Sequence, residues 1–398
     1  MFGYRLLAMG LGVLFALLLA EAGVRLFVPR KLWEFWDATA DWMPDPKLGW
    51  INQSNRNVTR HDPHEGYLVT FQTNADGISP GTAQRAKKPS VIRILMLGDS
   101  GVVGLSVPAD KRINAALEQL LESRGWNVEV LNGGVQGYST DQELLLAKRL
   151  APLYHPDIIT LGVVDNDFSG NVERTVLGGY PKPMFVLKAD GQLDEIPPEM
   201  SQFKKHDLTS GPLRWVIGHS ALYGLIQPSF FRLRARFMGW NERNMLGLTA
   251  EMYTDPGALA RFDWALFAAE VKQIDEIARE NGAKLICYAH PAVETVWNPA
   301  VERVERQFGV RPEEYDRYAL ERQIGKTCQN EGIPFCPLID YFLANESRGP
   351  FHLLPRDPHC NATGYELQAE ALAKFFADAK LLPPPASGEP SGRSPAAR

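Results

Sequence analysis

Apolar residues fall along this chain in three distinct ways. Leu6 to Ala20 is an unbroken run of apolar and small residues, with Arg5 before it and Glu21 and Arg25 after it. From residue 91 onward, short apolar runs alternate with stretches of helical spacing. The first runs predict a strand over 91–97, a helix near 110–124 with Ile113, Leu117, Leu120 and Leu121 on one face, and a strand Val128–Leu131. A helix over 140–151 and a strand Ile158–Val164 follow. The alternation resumes with a helix over 258–281, a strand Lys284–Ala289, a helix around 312–330, a short strand near 333–338 and a final helix over 362–380. Strand and helix in alternation predict βαβ units, a parallel sheet and an α/β fold. Residues 31–90 and 169–257 keep no such period.

These breaks set the expected organisation. Residues 1–30 form a signal anchor or transmembrane helix, 31–90 a packed extension, and 91–382 the main domain with an insertion at 169–257. The insertion, rich in aromatic, proline and basic residues, reads as a lid or a wall of the site. The Pro/Ser/Gly-rich tail 383–398 is predicted to be disordered. Fifteen apolar residues are short for a span, which needs about 20. The run lengthens if Glu21 and Arg25 pair at the interface and the helix continues through Val28, with Trp33, Phe35 and Trp36 as an aromatic belt. Ala20-Glu21-Ala22 also fits a cleavage site after a leader. A buried core helix is the third reading; the first two both put the bulk of the chain outside the cytoplasm, and basic residues on both flanks leave the orientation open.

Composition narrows the partners. A net charge of −5 over 398 residues gives no basic footprint for nucleic acid. Four cysteines without a C-x-x-C pair give no zinc site. Cys328 and Cys336 bracket a short polar loop that a local bridge would close, and Cys287 in a strand reads as a small buried hydrophobe.

The candidate chemistry lies at strand ends. The first strand delivers Ser100, the second a loop containing Gly137, the third Asn166, and the segment before the last helix delivers Asp357-Pro358-His359. In open α/β sheets that edge binds ligands. Acyl transfer needs these types: a serine activated by a histidine base, a carboxylate to orient the imidazole, and fixed donors for the oxyanion. Each also has a plainer role. Ser100 could cap a helix, Gly137 serve a turn, and His359 cap the last helix or pack in the core. His290 is a competing base, and Asp165-x-Asp167 could be an Asx-turn or the metal clamp of a glycosyltransferase. Gly98, Gly101 and Gly104 follow a strand, but their spacing departs from the dinucleotide fingerprint.

Taken in order, Gly98-Asp99-Ser100, the Asn132…Gly137 loop, Asn166-Asp167 and Asp357-x-His359 resemble the four blocks of the SGNH (GDSL-type) hydrolase superfamily. The resemblance covers about 91–168 and 283–380. It implies a flavodoxin-like three-layer sandwich with a central parallel sheet, no cofactor and no metal. Ser100 would be the nucleophile, His359 the base, and Ser100, Gly137 and Asn166 the oxyanion donors. Val164 stands where the family has glycine. Arg356 stands where it often has the acid, which assigns that role to Asp357. The N-terminal run and Thr73-Asn74-Ala75-Asp76-Gly77 resemble membrane-attached bacterial members, implying a single inner-membrane pass with the catalytic domain in the periplasm. The function implied is an ester hydrolase removing acyl, chiefly acetyl, groups from a carbohydrate or another envelope ester. The alternatives are an O-acyltransferase using the same residues and a non-catalytic glycan-binding protein.

Overall fold

The computed structural model of the chain describes residues 2–29, 33, 41–61, 68–81, 83–176, 179–206, 219–226, 229, 257–353 and 358–384. Asp357, the rest of the insertion and the tail beyond 384 lie outside these residues, and with them about half of the predicted lid.

Among the described residues, five strands build the central sheet: β5 (Ile92–Gly98), β6 (Val128–Asn132), β7 (Ile158–Val163), β12 (Lys284–Ala289) and β13 (Phe335–Cys336). All pair in parallel, in the order β6-β5-β7-β12-β13. Numbered among themselves, that is the 2-1-3-4-5 order of flavodoxin-like sheets, which switch direction between their first and third strands. The predicted fold class therefore stands. Apolar runs form these strands because both faces are covered. Leu95, Leu97, Ile159 and Leu161 pack into one core with α4 (Thr140–Tyr154) and α7 (Trp264–Glu280), while Ile94, Met96 and Ile158 pack into another with α3 (Ile113–Ser123) and α12 (Ala362–Asp378).

The extension is more regular than its sequence predicts. It holds two antiparallel hairpins, β1 (Trp42–Asp45) with β2 (Gly49–Asn52), and β3 (Asn57–His61) with β4 (Leu68–Gln72). Asp45 makes the first turn by accepting from Lys47 and Leu48 N–H, both at 2.9 Å. Asn74 folds the 73–77 segment onto itself, accepting from Asp76 N–H at 2.9 Å. Ser79 then pairs with Asn132 through two 2.9 Å backbone bonds, covering the exposed edge of β6. The described part of the insertion adds the short strands β8 (Thr175–Val176), β9 (Tyr180–Pro181), β10 (Met184–Leu187) and β11 (Leu193–Ile196), then α6 (Met200–His206).

Between β12 and α10 (Ala319–Asn330) lie two helices absent from the expectation, α8 (Val293–Val296) and α9 (Asn298–Phe308). The strand predicted to 338 stops at Cys336 because α11 (Leu338–Ala344) begins there. The predicted helix over 258–281 starts at Trp264, where Asp263 caps it by accepting from Leu266 N–H at 2.9 Å. The expected Cys328–Cys336 bridge is absent, and all four cysteines are buried thiols. Cys328 belongs to the core on one face of the sheet and Cys336 to the core on the other, so β13 separates them.

Candidate active site

The switch between β5 and β7 opens a crevice at the carboxyl ends of the strands, and the candidate residues reach it from separate elements. Ser100 begins α2 (Ser100–Val103), but it is not the cap. Asp99 holds that place, its carboxylate accepting the Gly101 N–H at 2.8 Å. Relieved of capping, the Ser100 hydroxyl lies 2.8 Å from His359 Nε2 and 3.1 Å from Asp99 Oδ2. His359 has no capping duty either, since Asn361 caps α12 by accepting from Gly364 N–H at 3.0 Å. The His359 carbonyl accepts from Leu353 N–H at 3.0 Å, and His352 bridges to Cys360, which fixes the loop carrying the imidazole.

Asn166 opens α5 (Asn166–Gly170) with its side chain exposed, donating to Asp99 Oδ2 at 3.3 Å. The next residue, Asp167, is fully buried and accepts the Val164 N–H at 2.8 Å. That bond pins the turn after Val164. Asp165 lines the crevice and Asp167 does not, so the two carboxylates of the D-x-D sequence do not share it.

The Gly137 loop is stitched beneath β5 and α2. Asn132 Nδ2 donates to the Val102 carbonyl at 2.7 Å, and Val135 N–H donates to the Gly98 carbonyl at 3.1 Å. A Cβ on Gly134 would collide with the Val103 backbone, so glycine is required there. Trp50 of the first hairpin donates to the Gln136 carbonyl at 3.2 Å and Tyr138 donates to the Trp50 carbonyl at 2.5 Å, so the extension holds this loop. Gly137 itself has φ +74° and is not among the residues lining the cavity.

That cavity, about 170 Å³, is lined by Ser100, Asn166 and His359 together with Asp165, His290 and Glu294. A larger groove of about 1110 Å³ along α10 contains none of them and is not the site of this chemistry. His290 follows β12 and packs against Gly101 and Gly162; a Cβ on Gly162 would stand 2.6 Å from its Nε2. Its Nε2 makes no hydrogen bond, and burial pulls its pKa down to about 4, so the ring is neutral at neutral pH. The imidazole in contact with Ser100 is that of His359. Glu294, 4 % exposed, is pushed up to about 7 by burial and by Asp165 beside it. Asp165 is raised to about 6, by burial and then by Asp99. Sequence reasoning reached His290 through its place at a strand end. It missed Glu294, whose short helix α8 left no periodic trace.

No protein-family profile matches this chain. Among curated proteins, an arylesterase of Vibrio mimicus is 27% identical over 100 residues, which is 25% of this chain and 50% of that protein. The chain thus spans about half the length of the relative it matches. Among solved structures, TesA aligns at 12% identity and a TM-score of 0.37, over 73% of this chain and 99% of the other. A family 3 carbohydrate esterase of Clostridium thermocellum aligns at 12% identity and a TM-score of 0.36, over 73% and 96% respectively. At such scores the fold rests on this chain's own strand order. The 2-1-3-4-5 sheet order and the contact between Ser100 and His359 are read from this chain itself, and the four motif-bearing segments resemble the SGNH (GDSL-type) pattern.

Proposed function

We propose that the chain is a serine ester hydrolase that removes short acyl groups, acetyl above all, from a carbohydrate or another cell-envelope ester. The observation that carries this reading is the 2.8 Å contact between Ser100 Oγ and His359 Nε2 at the sheet's switch point. Ser100 Oγ attacks the acyl carbon as His359 Nε2 takes its proton. The tetrahedral oxyanion is held by the Ser100 N–H and by the Asn166 amide, which must turn from Asp99 to reach it; the family resemblance adds the Gly137 N–H, although Gly137 stands outside the cavity lining. The imidazolium protonates the departing alkoxide, leaving an acyl-Ser100 ester. Water, deprotonated by His359, then attacks that ester and releases the acid. Asp357 is assigned to orient and stabilise the imidazole.

Cavity size supports a short acyl group, because about 170 Å³ falls below the ~300–1,000 Å³ of pockets for drug-sized ligands. We place the catalytic domain in the periplasm, held at the inner membrane by the apolar helix α1 (Phe2–Phe27), whose Leu7–Phe27 stretch is long and apolar enough to span. The test is a fluorophosphonate probe followed by peptide mass mapping, run beside a series of acyl esters. Adduct on Ser100 and fastest release of acid from acetyl esters are the expected results. Absence of any adduct would leave a binding protein. Acylation of an added glycan without free acid would mean transfer in place of hydrolysis.

A further inference from the structure

Near the end of α1 a carboxylate interrupts the apolar surface. Glu21 accepts from Ser220 Oγ at 2.8 Å, from Ala221 N–H at 2.9 Å and from Leu222 N–H at 2.9 Å, and pairs with Arg25 at 2.7 Å. Those two amides are among the first N–H groups of the helical segment 221–226, which have no partner within their own helix. Glu21 therefore caps a helix some 200 positions away, within the insertion. Arg25 reaches the His219 carbonyl as well, and its guanidinium lies 5.4 Å from the Trp33 ring centroid. Trp33 donates its indole N–H to the Val28 carbonyl at 3.1 Å, and its own carbonyl occupies the space a side chain on Gly224 would need.

This junction is built, and the apolar surface runs across it. Val24 and Ala221 are buried in it, while Leu26, Phe27 and Ile226 remain 76%, 84% and 51% exposed. Only 6% of the best apolar window of α1 is buried, and the 20 residues from Phe2 to Glu21, at about 1.5 Å each, reach about 30 Å, the depth of a bilayer's hydrocarbon, which puts Glu21 at its rim. A charge at the rim of such a span is tolerated when it is fully paired, as Glu21 is.

We propose that segment 219–226 is a collar that rests on the phospholipid surface, docked to the end of a retained α1 through Glu21. This rests on the membrane placement proposed above and not on the chemistry at Ser100. Cleavage after Ala22 would remove Glu21, leaving the amides of Ala221 and Leu222 without their acceptor and Arg25 without its carboxylate, so the collar requires an uncleaved anchor.

The test uses the full chain in phosphatidylethanolamine–phosphatidylglycerol vesicles. An environment-sensitive dye is placed on Ile226→Cys or, as a control, on the exposed position of Glu276→Cys. The dye at 226 should be shielded several-fold from aqueous iodide relative to 276. Adding Glu21→Ala should abolish the shielding while the chain stays in the vesicles and hydrolyses a soluble ester at the unchanged rate. Equal quenching at 226 and 276, with the chain still membrane-bound, overturns the collar. A water-soluble chain beginning at Gly23 overturns the membrane placement itself.

Discussion

The two ends of the central sheet treat polar groups in opposite ways. At the amino ends of the strands, Arg93 is fully buried between Glu129, at 2.6 and 3.0 Å, and the carbonyls of Tyr154 and Arg85, at 2.7 and 3.0 Å. Asp157 accepts the Arg93 N–H at 2.6 Å and Lys87 at 2.5 Å. None of these residues has a buried side-chain nitrogen or oxygen left without a partner. At the carboxyl ends, His290 Nε2 and Tyr288 Oη are buried without a hydrogen bond, Asn166 is exposed, and Ser100 is half-buried beside an open cavity. Saturated polar groups hold a fold together. Polar groups left open beside a cavity at a switch point are available to a ligand.

The comparison breaks first at Ser100. Ser100→Ala should lower kcat for an acetyl ester by about 10⁴-fold or more, with no change in melting temperature. Retained turnover would move the chemistry elsewhere. At the other end, Arg93→Met should leave Glu129 buried and unpaired, removing about 3–5 kcal/mol in urea unfolding. Its kcat per folded molecule should stay at the wild-type value, and a selective loss of kcat would join the two ends functionally. Asn166→Ala, which takes away one proposed oxyanion donor, should reduce kcat by about 10²–10³-fold with KM little altered. A change confined to KM would make Asn166 a substrate contact.

How much of this was legible in the sequence depends on what each signal encodes. The strands of the sheet are buried on both faces, so Ile92–Gly98 and Ile158–Val163 read as apolar runs, and their alternation with helices implied the parallel sheet. Hairpin strands such as Asn57–His61 are short and largely polar and left no such mark. The site was legible as types and places but not as duties. Ser100 and an N-cap look alike locally, and only the Asp99 contact to Gly101 N–H separates them. His359 and Asn361 pose the same question, answered by the bond from Gly364. The cysteine bridge failed because spacing along the chain carries no information on which face of the sheet each thiol occupies.

The smallest expected effects are pH-dependent and come from two neighbours in the cavity. Burial lowers His290 from 6.5 to about 4, the Asp99 charge working against that shift and His359 with it. Between those values the unfolded chain binds a proton that the folded chain refuses, so stability falls as pH drops through this window. Glu294 moves the other way, from 4.5 to about 7, through burial and Asp165, with Arg303 opposing. The folded chain there holds the proton the unfolded chain has lost, and stability falls as pH rises from 4.5 to about 7. Each effect amounts to at most about 3.5 kcal/mol, at about 1.4 kcal/mol per pKa unit. Urea midpoints followed across the two windows separate them. His290→Gln should lessen the loss on acidification, and Glu294→Gln should lessen the decline toward neutrality. Slopes unchanged in both variants would mean that the cavity is wet enough to ionise both groups freely, and the contrast between the two ends of the sheet would then rest on geometry alone.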